Sequence, residues 1–203
     1  LSRLPNLKKI IFSSTAGVYG NIPIIPTPED HPTNPISPYA ISKLAQEHYL
    51  RFFQELHQIP CVILRNANVY GPRQDPYGEG GVVAIFAQRM IGGRDPTIHG
   101  DGSQTRDFVF VSDAVEANIA ALPDNVSGTF NISTGTETSI GALFDILREH
   151  VDPKVQRIPA PERFAEVKRS ALCNASAKEI LGWQPQVTLE EGLTRTIRFF
   201  REQ

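Results

Sequence analysis

The stretch YAISKLAQEHYLRFFQELHQ (residues 39–58) sets apolar side chains at Tyr39, Leu44, Tyr49, Phe52, Phe53 and Leu56, a helical spacing with a polar opposite side. The stretch before it, NIPIIPTPEDHPTNPISP (residues 21–38), carries too many prolines for a helix or a central strand and reads as a long loop. Outside both lie two short continuous apolar runs, KKIIFSS (residues 8–14) and CVILRNANVYG (residues 61–71), of the kind that suits strands buried on both faces of a parallel sheet. Strand, long loop, helix and strand make a βαβ crossover. The fold class is therefore α/β.

The rest of the chain continues the pattern. GPRQDPYGEGG (residues 71–81) is a loop that leads into a helix, VVAIFAQRMIGG (residues 82–93), ended by its glycines. HGDGSQTRD (residues 99–107) is rich in turns, FVFV (residues 108–111) is a strand, and a helix opens at Ser112 or Asp113. GTFNIST (residues 128–134) reads as a further sheet strand, and SIGALFDILREHV (residues 139–151) as an amphipathic helix capped by Ser139. Two short helices close the chain, one capped by Asn174 or Ser176 and one opening with the capping pattern Thr188 to Glu191. The result is a sheet-based part with a smaller appended part.

Composition narrows the function. The 203 residues are 40% apolar and 21% charged with a net charge of −2, which describes an ordinary soluble globular protein. The two signs of charge are scattered, so nothing electrostatic predicts a nucleic acid or a membrane as partner. No run is long enough to span a bilayer and no leader-like series opens the chain, which makes the cytoplasm the expected compartment. Cys61 and Cys173 lack the spacing of a zinc site and read as reduced structural residues, so no metal is expected. A chain that starts at Leu1 and runs almost at once into a buried strand is expected to be part of something longer.

Chemistry concentrates at two places. FSSTAGVYG (residues 12–20) sets three hydroxyls, Ser13, Ser14 and Thr15, at the end of a strand, and strand ends are where open α/β sheets bind ligands. Tyr39 and Lys43 stand one helical turn apart on one face of the helix that starts at the same sheet edge. An ammonium group close to a phenol favours the phenolate, which makes a tyrosine usable as a base near neutral pH. A strand-end hydroxyl, a phenol and an ammonium can converge there on one substrate hydroxyl.

The segments IIFSSTAGVYG, SPYAISKLAQEHY, LRNANVYGPRQDPYGEGGVVAIF and GDGSQTRDFVFVSDAVEAN resemble the extended short-chain dehydrogenase/reductase family, in particular its NAD-dependent UDP-glucose 4-epimerases. The likeness extends through the closing PERFAEVKRSALCNASAKEILGWQPQVTLEEGL. It implies the C-terminal part of a Rossmann-type parallel sheet, residues 1–70 and 102–135, with a smaller α/β domain for a UDP-sugar, residues 71–101 and 136–203. It also implies NAD as cofactor and a homodimer that uses the helix bearing Tyr39. Tyr49, Phe52 and Phe53 would serve that contact, although an amphipathic helix covering its own sheet accounts for them as well.

By the same resemblance Thr15, Tyr39 and Lys43 are the catalytic residues, and Ser13, Ser14, Tyr39, Lys43 and Asn66 lie on the cofactor side. Asn68, Arg106 and Arg163 match positions that bind the diphosphate, and guanidinium forks suit phosphate oxygens. Val82 falls where an apolar residue packs near the nucleotide, Thr97 and His99 fall in the segment that meets uracil, and Glu166 matches the acid that holds the uridine ribose. Ser170 falls beside the sugar's 2-substituent, where a small residue leaves room for an N-acetyl group. The implied reaction inverts C4 of a UDP-hexose: Tyr39 takes the 4-hydroxyl proton while hydride passes to NAD, the 4-keto sugar turns over, and hydride returns to its other face.

Two departures bear on this reading. Dehydratases of the superfamily carry Asp and Glu after the Thr, whereas here Ala16 and Gly17 follow Thr15 and cannot move protons, which favours an epimerase over a dehydratase or decarboxylase. The loop PERFAE lacks the usual Pro-Gly, and Cys173 stands where an Asp is common. A dinucleotide site also needs a Gly-rich turn between a strand and a helix. Neither GEGG (residues 78–81), after a loop, nor GDG (residues 100–102), in a turn, supplies one, so the NAD phosphate site is expected upstream of Leu1 and the chain alone is expected to be inactive. A non-catalytic nucleotide-binding remnant is the reading of a different class.

Overall fold

A computed structural model describes residues 6–77 and 81–203. Most of GEGG and the opening residues Leu1 to Pro5 lie outside the described residues. The crossover is present as β1 (Ile10–Thr15), α1 (Pro38–His57) and β2 (Cys61–Asn66). β1 pairs with β2 in parallel, and β2 pairs in parallel with β7 (Gly128–Ile132), giving the order β1-β2-β7. The register sets Thr15 beside Asn66 at the carboxyl edge of this sheet, the edge where such sheets bind ligands. A short 3₁₀ turn, Ala16–Tyr19, follows β1, and Thr15 caps it by accepting a hydrogen bond from the Gly17 amide at 3.2 Å.

Three smaller sheets surround this core. β3 (Asn68–Tyr70) pairs in parallel with β6 (Phe108–Phe110), and β4 (Thr97–His99) in parallel with β9 (Ile158–Ala160). β5 (Thr105–Arg106) runs antiparallel to β8 (Thr138–Ser139). Helices α2 (Val82–Ile91), α4 (Ile140–Val151) and α6 (Leu189–Arg201) meet over a buried cluster that includes Phe86, Met90, Leu143, Phe144, Leu147 and Leu193. Each such side chain contributes roughly 1.5–3 kcal/mol by leaving water. A second cluster, with Val62, Leu64, Phe130 and Ile132 from the main sheet, packs against α3 (Val111–Ala120) and α5 (Ala175–Leu181) and is closed by Trp183. Among the described residues no helix is long and apolar enough to cross a membrane. Cys61 and Cys173 are free thiols.

Three local expectations change. α3 begins at Val111 behind an N-cap at Phe110, not at Ser112 or Asp113. The Asp113 carboxylate instead accepts from the Gln186 and Val187 amides, both at 3.1 Å, and fastens the tail to the first turn of α3. Asn174 precedes α5 without a side-chain cap, because its amide donates to the Ser133 carbonyl. Ser139 and Thr188 do cap α4 and α6 as read.

The third change concerns α1. The apolar stripe covers the fold only in part: Leu44 and Phe53 are half-buried and Leu44 packs on the cluster of Val18, Tyr19 and Leu172, whereas Tyr39, Tyr49, Phe52 and Leu56 are exposed. The buried positions are Ala40 and Glu47, and Glu47 belongs to a buried ion pair. Glu47 receives Arg65 Nε at 3.1 Å and Nη2 at 2.7 Å, and Ser14 Oγ donates to it at 2.5 Å. Arg65 also donates to the Tyr19 hydroxyl at 2.8 Å, and that hydroxyl donates to Asn131 Oδ1 at 2.9 Å. Burial alone would raise the Glu47 pKa, but the bonds from Arg65 and Ser14 outweigh it and hold the carboxyl below its ordinary value. One carboxylate thus ties α1 to β1 and β2.

Candidate active site

At the carboxyl edge of β1 and β2 the chain leaves a cleft of about 870 Å³, lined from one side by the strand ends and α1 and from the other by residues 163–167. Ser37 caps α1, accepting from the Ala40 amide at 3.2 Å, and Pro38 occupies its first turn, so Tyr39 is fixed at the helix mouth. Its ring is half exposed, 53%, and faces the cleft. Lys43, one turn on, lies with Nζ 5.8 Å from the Tyr39 ring centroid and 4.9 Å from that of Phe12. It donates to the Ser13 carbonyl at 2.8 Å, which pins the ammonium between the strand end and the phenol.

Thr15, Tyr39, Lys43, Asn66, Asn68, Arg106, Arg163, Glu166 and Ser170 all line this one cleft. Residues far apart in sequence are thus brought to one cleft. Ser13 and Ser14 also line it, but the Ser14 hydroxyl is directed into the fold, to Glu47. Val82, Thr97 and His99 are not among the lining residues. Val82 begins α2 one residue beyond Gly81, which does line the cleft, and Thr97 and His99 lie in β4, where the His99 ring Nδ1 contacts the Pro161 carbonyl at 3.1 Å.

The far wall is cationic. Arg106 donates through Nη1 to the Thr105 and Val167 carbonyls, each at 2.7 Å, and through Nη2 to Glu166 Oε1 at 3.1 Å. Burial lowers its pKa from the ordinary guanidinium value; Arg163 adds to the lowering and Glu166 opposes it. Among the described residues Arg106 pairs with Glu166 while the nearby Arg163 has no carboxylate partner, so the wall carries a surplus positive charge that an anion would neutralise. Beside Arg106, Asp107 is wholly buried and accepts from the Thr134 amide and hydroxyl and the Gly135 amide at 2.7–2.9 Å. It staples β6 to the loop after β7 and keeps Arg106 at the cleft.

Two polar groups in the lining have unmet needs. The Oδ1 of Asn66 and the Oε1 of Gln74 are buried without a hydrogen-bond partner among the described residues. Gln74 donates its amide to the Val69 carbonyl at 2.8 Å, and its oxygen is left as an unmet acceptor beside Gly81 among the described residues. Sequence reasoning passed over Gln74, because an amide in a loop carries no local signal. It passed over Glu47 too, although Arg65 inside the apolar run CVILRN was a signal that a buried anion must sit opposite.

Ala16 and Gly17 stand in the lining beyond Thr15. A Cβ on Gly17 would come 3.3 Å from the Ala40 Cβ, so the first turn of α1 crowds any larger residue there. Neither Ala16 nor Gly17 carries a group that can move a proton.

The fold and this cleft place the chain in the family described as GDP-mannose 4,6 dehydratase, to which it belongs; the match covers residues 2–196. Within that family it is similar to the UDP-glucose 4-epimerase of Mycolicibacterium smegmatis, 46% identical over 98% of this chain and 64% of that protein. Among solved structures, the UDP-glucose 4-epimerase of Thermotoga maritima with UDP-glucose superposes with a TM-score of 0.93 at 48% identity, covering 97% of this chain and 64% of that one. The UDP-glucose 4-epimerase of Thermus thermophilus in complex with NAD gives a TM-score of 0.90 at 39% identity, covering 96% and 64%. The chain thus spans less than two thirds of the length of these relatives.

Proposed function

We propose that the chain is the catalytic and substrate-binding portion of an NAD-dependent UDP-glucose/UDP-galactose 4-epimerase. The observation that carries this is the convergence of Thr15, Tyr39 and Lys43 with Arg106 and Arg163 on one cleft, while Ala16 and Gly17 hold the positions of the dehydratase acids. In this reading Arg106, Arg163 and Asn68 grip the diphosphate and Glu166 takes the ribose hydroxyls. The hexose then lies toward Tyr39. Thr15, whose oxygen already accepts the Gly17 amide, keeps its hydrogen to orient the 4-hydroxyl, and Tyr39 removes the proton. Lys43 holds positive charge beside the forming phenol–alkoxide pair. Gln74 accepts from a sugar hydroxyl, and the small Ser170 leaves room for an N-acetyl group.

The residues at the sheet edge fit the nicotinamide end of NAD: the orphaned Asn66 oxygen and the Lys43 ammonium stand where parallel sheets seat such cofactors. When bound, NAD supplies the acceptor and donor of hydride at C4. Its phosphates need a glycine turn that the described residues do not form, which supports a chain inactive by itself; residues 1–70 and 102–135 belong to the cofactor-side part and residues 71–101 and 136–203 to the sugar side. The exposed stripe Tyr49, Phe52 and Leu56 on α1 supports a homodimer.

Calorimetric titration of the chain with UDP-glucose tests the reading. Binding is expected, weakened about tenfold to a hundredfold by Arg163→Ala, the loss typical of a hydrogen bond to a charged group. Absence of binding, or binding indifferent to Arg106→Ala and Arg163→Ala, overturns it.

A further inference from the structure

Phe164 is the most exposed large apolar side chain of the described residues, at 101% relative accessibility, yet it lines the cleft. It stands in a turn whose two corners are Arg163 and Glu166, and the turn is strapped on both sides. Upstream, the Gly100 amide donates to the Ala160 carbonyl at 2.9 Å; downstream, Arg106 holds the Val167 carbonyl and the Lys168 amide donates to Asn21 Oδ1 at 2.9 Å. The next residue, Ala165, has a φ of +57°, the left-handed region that turns usually fill with glycine. That backbone holds the benzyl group out over the cleft instead of letting it fold onto the protein. A tethered aromatic ring with no protein neighbour, adjacent to a free guanidinium, has the chemistry of a platform for a flat aromatic ligand beside an anion.

We infer that Phe164 stacks on the nucleobase of the bound nucleoside diphosphate and supplies affinity for the base in this cleft. The inference rests on the UDP-sugar reading above. In that reading the diphosphate lies on Arg163 and the ribose on Glu166, the two ends of this turn, so the nucleoside runs along the turn and its base meets the residue that projects between them, Phe164. Stacking tolerates any base by its π face, so Phe164 supplies affinity for a base over none and leaves the choice among bases to polar groups.

The test is calorimetry on this chain with two probes, UDP and methyl diphosphate, which has the diphosphate without a base. Phe164→Ala is expected to weaken UDP about tenfold to a hundredfold and to leave methyl diphosphate unchanged. Phe164→Trp is expected to restore UDP affinity, and because the side chain is fully exposed neither change should move the Tm. Unchanged UDP affinity in Phe164→Ala overturns the stacking, as does an equal loss for both probes or an effect confined to self-association. If UDP binds and Arg163→Ala weakens it while Phe164→Ala does not, only the stacking falls; if the unaltered chain binds neither probe, the functional reading falls with it.

Discussion

Tyr39 is held by three constraints that act at the level of single residues: a serine cap, a proline in the first turn and a lysine pinned by a backbone carbonyl. Removing only the phenolic oxygen leaves all three in place. Tyr39→Phe is therefore expected to keep UDP-glucose affinity within about twofold, and to lower turnover of the intact protein by about 10²–10⁴-fold, the usual worth of a positioned acid–base group. Retained turnover takes Tyr39 out of the base role. These residues were legible because each sits beside a backbone landmark, a strand end or a helix start, that apolar spacing and proline mark in the sequence. Gln74 was not, because its importance arises from an oxygen that only the folded lining leaves without a donor.

The element that decides the geometry is α1. Its sheet-facing side is held by Glu47, which is 0% exposed, and its outer side carries the aromatics. The helix and both flanking strands were readable from periodicity, but the composition of the inner side was not: Glu47 is buried there against Arg65, while Tyr49, Phe52 and Leu56 of the apolar stripe face outward. Glu47→Gln leaves Arg65 buried without its anion and is expected to reduce stability by about 3 kcal/mol in denaturant unfolding at neutral pH. Because the folded Glu47 carboxyl lies below its ordinary value of 4.5, its contribution is fully present above that pH and is lost as pH falls through the depressed folded value. Asp107, raised by burial, runs in the opposite sense, so the difference between the unaltered chain and Glu47→Gln isolates the effect. A difference that does not shrink in acid contradicts the assignment.

For the molecule as a whole, the parallel core and the cleft wall come from segments up to about 150 residues apart, joined by buried polar staples at Asp107, Asp113 and Asn131. Such long-range pairings are what a local reading of sequence misses, since a carboxylate at Asp113 reads as a helix cap until the Gln186–Val187 backbone arrives to claim it. The outward stripe on α1 has a consequence at this scale. Phe52→Asp is expected to shift sedimentation toward the monomer without altering UDP-glucose affinity, and an unchanged sedimentation profile removes that face from any dimer. The central claim, inversion at C4 without net oxidation, is tested by incubating the intact protein with UDP-glucose and following the anomeric proton signals by NMR. Growth of UDP-galactose to a constant ratio, with no accumulation of reduced cofactor, is the predicted result; a 4-keto-6-deoxy product, or recovery of UDP-glucose alone, contradicts it.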